Sequence, residues 1–143
     1  MKETVLFACV HNAGRSQIAA AFLRSLVDER RVQVDSGGTR PGERVHPEVV
    51  TVMRELGLEL EGLRPRPVSR DPRYAPDLLV TLGCGESCDF VPAHEREDWP
   101  LSDPKGQQLD AVRRIRDEIR MRVEDLARRR GWSLASGARV AAR

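Results

Sequence analysis

Short apolar runs alternate with amphipathic segments along most of this chain, and that alternation constrains the fold more than any other feature. Residues 4–10 read T-V-L-F-A-C-V, an apolar run rich in β-formers that suits a buried central strand. Residues 16–28 place Ile18, Phe22 and Leu26 on one stripe flanked by Ala19, Leu23 and Val27, the pattern of a helix with a broad apolar face. Val32 and Val34 alternate ahead of Asp35-Ser36-Gly37-Gly38, which predicts a short second strand and a stop. Pro47 suits the first turn of a second helix reaching Leu56, with Gly57 just past its end. Residues 58–76 carry four prolines and read as irregular. Residues 78–82 form a third apolar strand, residues 83–98 a long mobile loop, and residues 98–101 a short edge strand. Leu109, Val112, Ile115, Ile119, Val123 and Leu126 follow 3-4 spacing up to Gly131, which predicts a long last helix.

The resulting order, β-α-β-α-β-(β)-α, predicts a three-layer α/β domain with a parallel sheet. Ligands in such sheets bind beyond the carboxyl ends of the strands, and Cys9 stands at the end of the first one. At 143 residues the chain suits a single domain over residues 1–131, followed by a basic, flexible tail over residues 132–143.

Charge and composition narrow the class. A chain with 40% hydrophobic and 32% charged residues has enough apolar material for a core and is not a disordered one. No apolar run approaches the ~20 residues needed to cross a bilayer, so no membrane partner is expected. The N-terminus lacks signal-peptide architecture, and a cytoplasmic location is expected. From Arg113 onward, ten Arg face four acids. The interleaving of Asp117, Glu118, Glu124 and Asp125 with these Arg residues, and the scarcity of aromatics, favour a solvated helix face over a nucleic-acid surface. Cys9, Cys84 and Cys88, with His11 or His94 as a fourth ligand, could make a partial zinc site. Cys9 has no neighbouring cysteine, however, and no metal is expected.

The candidate site is the loop Cys9-Val10-His11-Asn12-Ala13-Gly14-Arg15-Ser16. A turn between a strand and a helix N-terminus aims several backbone N–H groups at one point and so cradles an anion. Ala13 and Gly14 allow the tight turn. Arg15 offers a planar fork of donors for two oxygens of an oxyanion. These cationic and dipolar surroundings favour the thiolate of Cys9, to whose sulfur Ser16 could donate, while Asn12 braces the loop. A thiolate inside such a cradle can attack a central phosphorus or arsenic atom.

The Cys9-x5-Arg15-Ser16 pattern resembles that of the thioredoxin-coupled arsenate reductases, which share the low-molecular-weight tyrosine phosphatase fold. The resemblance covers roughly residues 2–130 and implies a four-stranded parallel sheet flanked by helices. It implies that Asp103, followed by Pro104, is the general acid, with Glu97 and Asp98 as nearby rivals; Asp103 could also cap the last helix. It further implies that Cys84 attacks the adduct on Cys9, releasing arsenite, and that Cys88 then takes over the disulfide and carries it outward.

Arsenate is accordingly the expected substrate, with no bound cofactor and an external thiol as reductant. Two features depart from the familiar pattern: the gap between Cys84 and Cys88 is short, and Gly14 replaces the Cys or Ser often found before the Arg. The runs Asp98-Trp99-Pro100-Leu101 and Asp103-Pro104, with the Cys84-Gly85-x-x-Cys88 loop, resemble a branch beside the mycothiol-using members. The reductant is therefore either thioredoxin or mycothiol with a mycoredoxin. The alternative is a phosphatase working through a cysteinyl-phosphate. Against it, Lys105 follows Asp103-Pro104 where aryl-phosphate enzymes of this kind carry a tyrosine wall, and Tyr74 is the only tyrosine of the chain.

Overall fold

The computed structural model describes residues 2–132. The expected flexible tail falls mainly on residues 133–143, outside the described residues. The chain runs β1 (Glu3–Cys9), α1 (Arg15–Leu26), β2 (Val32–Gly38), α2 (Pro47–Arg54), β3 (Leu78–Thr81), β4 (Glu95–Asp98) and α3 (Leu109–Arg129). Two 3-10 turns, Pro72–Tyr74 and Gly85–Cys88, flank β3. The four strands lie in the order β2-β1-β3-β4 and every pairing is parallel.

Alternation along β1 divides the interior in two. Val5, Phe7 and Cys9 join the main core, where Ile18 and Phe22 of α1, Val52 of α2 and Ile119 and Leu126 of α3 are fully buried. Leu6, Ala8 and Val10 join a smaller cluster on the opposite face with Leu79, Cys84, Cys88 and Val91. Helices α1, α2 and α3 thus contribute to one cluster, and the 3-10 turn Gly85–Cys88 helps to cover the other face. Burying a side chain such as Phe22 contributes about 2–3 kcal/mol, so the helix-side core supplies most of the cohesion.

Three strand and loop expectations need correction. The segment Asp35-Ser36-Gly37-Gly38 does not stop β2: it stays paired with β1 as far as Cys9↔Gly38. Its glycines mark close approach, because a Cβ on Gly38 would stand 2.7 Å from the Val10 carbonyl oxygen and one on Gly37 2.9 Å from Val68 Cγ1. The edge strand is Glu95–Asp98, not residues 98–101, and it lies within the segment expected to be a loop. The sequence Glu-Arg-Glu-Asp has no apolar signature because an edge strand is favoured by charge, which discourages pairing with other chains. The tight turn after β1 is made by Asn12, at φ 52°, whereas Gly14 has φ −141°. Asn tolerates the left-handed region better than other non-glycine residues.

The basic face of α3 is engaged by acids. Arg113 and Arg116 pair with Glu55 beyond α2, while Arg129 and Arg130 pair with Glu97 and Glu95 of β4. These pairs register the last helix against α2 and the edge strand.

Candidate active site

The loop after β1 is organised by its carbonyl groups. The oxygens of Cys9, Val10, His11 and Ala13 accept hydrogen bonds from the backbone N–H groups of Thr39, Arg40, Gly42 and His46. Gln17 Nε2 donates to the Asn12 oxygen, and the Ile18 N–H donates to Gly14. Every carbonyl from Cys9 to Gly14 is therefore bonded to a partner outside the loop. Among the described residues, no backbone N–H from His11 to Arg15 donates to a protein acceptor. With the carbonyls drawn outward, these donors are left without a protein acceptor, an arrangement that suits an anion. The segment 39–46, which carries no chemical motif, is the scaffold that makes this possible, and sequence reading missed it for that reason.

Asn12 is fully buried and its side chain ties the loop together. Its Nδ2 donates to Ser16 Oγ at 2.7 Å, while its Oδ1 accepts from Gln17 Nε2 at 3.1 Å and from the Arg66 N–H at 2.9 Å. Ser16 Oγ stands 2.9 Å from Cys9 Sγ. Because Ser16 already accepts from Asn12, its hydroxyl hydrogen is free to point at the sulfur. Cys9 itself is a buried free cysteine, 2% exposed.

Arg15 opens α1 and is 7% exposed. Its Nη1 donates to the Leu101 carbonyl at 2.9 Å, and its Nη2 lies 3.8 Å from Asp103 Oδ2. Its Nε is buried with no partner among the described residues. A buried guanidinium N–H without an acceptor is costly, and an oxyanion above Cys9 would satisfy it. Gly83, at φ 79°, makes room for this side chain: a Cβ there would fall 2.2 Å from Arg15 Nη1. Gly83 and Leu101 are thus parts of the site without chemistry of their own, and only the glycine after a strand hinted at either.

Asp103 is half exposed and faces Arg15. It does not cap α3, whose N-cap is Gln108. Instead its Oδ1 accepts from the Lys105 N–H at 3.0 Å, closing a turn that places Pro104 over Gly14. A Cβ on Gly14 would come within 2.9 Å of Pro104 Cγ and 3.4 Å of His46 Cδ2. The small residue before Arg15 lets the Asp103 loop sit down on the cradle. The rival acids stand elsewhere. Glu97 bonds Arg129 and Trp99; burial acts to raise its pKa, but those bonds hold the carboxyl below its usual range. Asp98 accepts from Thr81 Oγ1.

His46 also escaped sequence reading. It precedes Pro47 at the start of α2 and lines a depression beside the loop with His11, Ala13, Arg40 and Lys105. Burial pushes its pKa below the ordinary 6.5, against the opposing pull of Glu48 and Asp103.

Cys84 and Cys88 are joined in a disulfide, with their Cα atoms 5.8 Å apart. The short gap is bridged because Gly85, at φ 56°, starts a 3-10 turn that brings both ends together. Cys84 Sγ lies 3.8 Å from the carbonyl oxygen of Ala8, the residue before the nucleophile. Cys88 is not the more outward of the two: it is 1% exposed and Cys84 7%. Val91 and Leu79 hold it in the second core cluster.

A thiol at the end of a parallel strand, backbone N–H groups without protein acceptors and an arginine with a buried, unpartnered Nε stand together in this loop. The chain belongs to the low molecular weight phosphotyrosine protein phosphatase family, whose description matches residues 4–135. Within that family it is 43% identical to a putative arsenate reductase of Halobacterium salinarum, over 84% of this chain and 87% of that one. It is 34% identical to a glutaredoxin arsenate reductase of Synechocystis, over 87% and 95% of the two chains. A solved structure of an arsenate reductase in its oxidised state superposes with a TM-score of 0.76 at 32% identity, covering 89% of this chain and 98% of that one.

Proposed function

We propose that this protein is an arsenate reductase in which Cys9, Cys84 and Cys88 act in sequence. The Cys9 thiolate attacks arsenic and an arsenic–oxygen bond breaks. Asp103 gives the departing oxygen a proton, so that water leaves. The N–H groups of the loop and Arg15 hold the remaining oxygens as charge builds on them. The Cys84 thiolate then attacks Cys9 Sγ. The sulfur–arsenic bond breaks with its electron pair passing to arsenic, arsenite leaves, and a Cys9–Cys84 disulfide forms. Cys88 attacks Cys84 in turn, freeing the Cys9 thiolate and leaving Cys84 joined to Cys88. An external dithiol supplies the two electrons that reopen this bond.

The observation that carries this reading is the combination of an unpartnered buried Arg15 Nε at the end of the Cys9 loop and a Cys84–Cys88 disulfide against Ala8, the residue before Cys9. A phosphatase needs the first feature and has no use for the second. The depression beside the loop is lined by His11, Arg40, His46 and Lys105, while Tyr74 lines a different one with Thr4 and Gln33. Among the described residues, no Phe, Tyr or Trp lines the depression beside the loop.

The test is steady-state release of arsenite from arsenate with each of three reducing systems: thioredoxin, glutaredoxin with glutathione, and mycoredoxin with mycothiol. Turnover with at least one is expected. Hydrolysis of an aryl phosphate without arsenite release under any of them would replace this reading with the phosphatase one.

A further inference from the structure

We propose that Arg96 is a latch on the redox turn and sets how fast an external thiol reduces the Cys84–Cys88 disulfide. The proposal rests on the relay described above for its biological meaning, but the latch itself is a property of the disulfide and its surroundings.

The alternation of β4 puts Arg96 where such a latch is needed. Glu95 and Glu97 reach α3, pairing with Arg130 and Arg129. The residue between them points to the other side of the sheet. Arg96 pairs in register with Leu79, which belongs to the cluster containing Cys84, Cys88 and Val91. From there its Nη1 donates to the Cys88 carbonyl at 3.4 Å, and its Nη2 donates to the Val91 carbonyl. One planar fork on the edge strand thus holds both ends of the segment 88–91. Val91 is itself 1% exposed and packs beneath the turn. Weaker ties complete the closure: Ser87 Oγ donates to the Cys84 carbonyl at 2.7 Å, and Thr39 Oγ1 approaches Ser87 Oγ at 3.4 Å.

Thiol–disulfide exchange needs a thiolate to reach one sulfur while the other departs. With Cys84 7% and Cys88 1% exposed, that approach is closed in the latched form. Reduction then proceeds through the fraction of molecules in which the turn has lifted, and its rate scales with that fraction. Releasing the turn means breaking two charge-assisted bonds at once. Cys88 would keep one backbone donor, because the Val91 N–H also bonds its carbonyl, whereas Val91 would lose its Arg96 donor. A lysine at position 96 keeps the charge but cannot bridge two carbonyls with a planar fork.

The test uses the full chain, oxidised and without arsenate. Dithiothreitol reduces the Cys84–Cys88 bond: its thiolate attacks one sulfur, the other leaves as thiolate and takes a proton, and the second thiol closes the reagent's own ring. The free thiols are trapped by alkylation and counted by mass. Arg96→Ala is expected to accelerate reduction about 10- to 100-fold, and Arg96→Lys by less. Glu97→Gln, on the same strand but facing α3, is expected to leave the rate within about twofold of wild type. Alkylation of Cys9 in each variant reports the integrity of the nucleophile loop and is expected to be unchanged. A wild-type reduction rate in Arg96→Ala overturns the latch. So does equal acceleration in Arg96→Ala and Glu97→Gln, which would assign the opening to general fraying of β4. Absence of arsenate turnover in the wild type would remove the functional reading and leave this measurement standing.

Discussion

Asn12 Nδ2 donates to Ser16 Oγ at 2.7 Å, which occupies one lone pair of the hydroxyl and leaves its hydrogen free to point elsewhere. Cys9 Sγ lies 2.9 Å away, and once the thiol has lost its proton only Ser16 can donate within this pair. Ser16→Ala is therefore expected to lower kcat/KM for arsenate about 10- to 100-fold, the worth of one hydrogen bond to a charged group. Asn12→Ala should be worse for stability than for chemistry. It removes the bonds to Ser16, Gln17 and the Arg66 N–H and puts alanine at φ 52°, so a loss of at least about 2 kcal/mol in urea unfolding is expected. Unchanged kinetics in Ser16→Ala would mean that the hydroxyl only packs.

Arg15 does two jobs with one guanidinium. Nη1 is bonded to Leu101, and Nε waits for an acceptor. Lysine cannot do both, so Arg15→Lys should cost about 100-fold or more in kcat/KM despite its charge. Cys9→Ser keeps the N–H cradle and should still bind sulfate or phosphate by calorimetry while reducing no arsenate. Residual turnover in a clean Cys9→Ser preparation would show that the nucleophile lies elsewhere.

Gly83 offers a structural probe of the same guanidinium. Alanine at φ 79° is strained, and its Cβ would occupy the space 2.2 Å from Arg15 Nη1. Gly83→Ala is expected to destabilise the protein by about 1–3 kcal/mol and to weaken phosphate binding at the cradle as well. Gly62→Ala, at a comparable φ of 89° with open space around it, separates the two effects: stability should fall and anion affinity should not.

The cysteine relay is read most directly from trapped intermediates. After one arsenate turnover without external reductant, peptide mass spectrometry of the wild type should show Cys84 joined to Cys88. Cys88→Ser should stop with Cys9 joined to Cys84, and Cys84→Ser should release no arsenite by the internal route. An external low-molecular-weight thiol joined to Cys9 in the wild type, with neither internal disulfide, would show instead that Cys84 and Cys88 are bystanders.

His46 gives the site a pH signature. Burial lowers its pKa in the folded chain below 6.5, so the unfolded chain binds its proton first as the pH falls. Stability from this group is complete above about pH 6.5 and declines as the pH drops through the interval below it. Equilibrium unfolding between pH 7.5 and pH 5 should show this decline, and His46→Gln should reduce its slope. Equal slopes in the two proteins would mean that other groups, such as Glu55 with its arginine partners, govern the acid limb.

The sequence alone determined the elements whose signal is local. The apolar run ending at Cys9, the stripe of α1 and the 3-4 spacing of α3 each bury one face, and burial at a fixed period is legible without knowing the partner. The Cys9–Ser16 loop was legible as a motif in the same way, because its thiol, its turn and the arginine before a helix are neighbours in sequence. Tertiary structure decided what depends on neighbours distant in sequence. The edge strand Glu95–Asp98 exists because β3 offers it a ladder, and its charges carry no periodic signal. The glycines of β2 read as a stop until Val10 and Val68 are seen pressed against them. The cradle's donors are free because segment 39–46 holds the loop's carbonyls, and the reach of Arg15 is fixed by Gly83 and Leu101. The burial of Cys88 beneath Arg96 likewise required the sheet to be assembled, since it depends on which face of β4 each residue takes. A local pattern states which groups are present, whereas contacts across tens of residues decide which of them remain unpartnered and reactive.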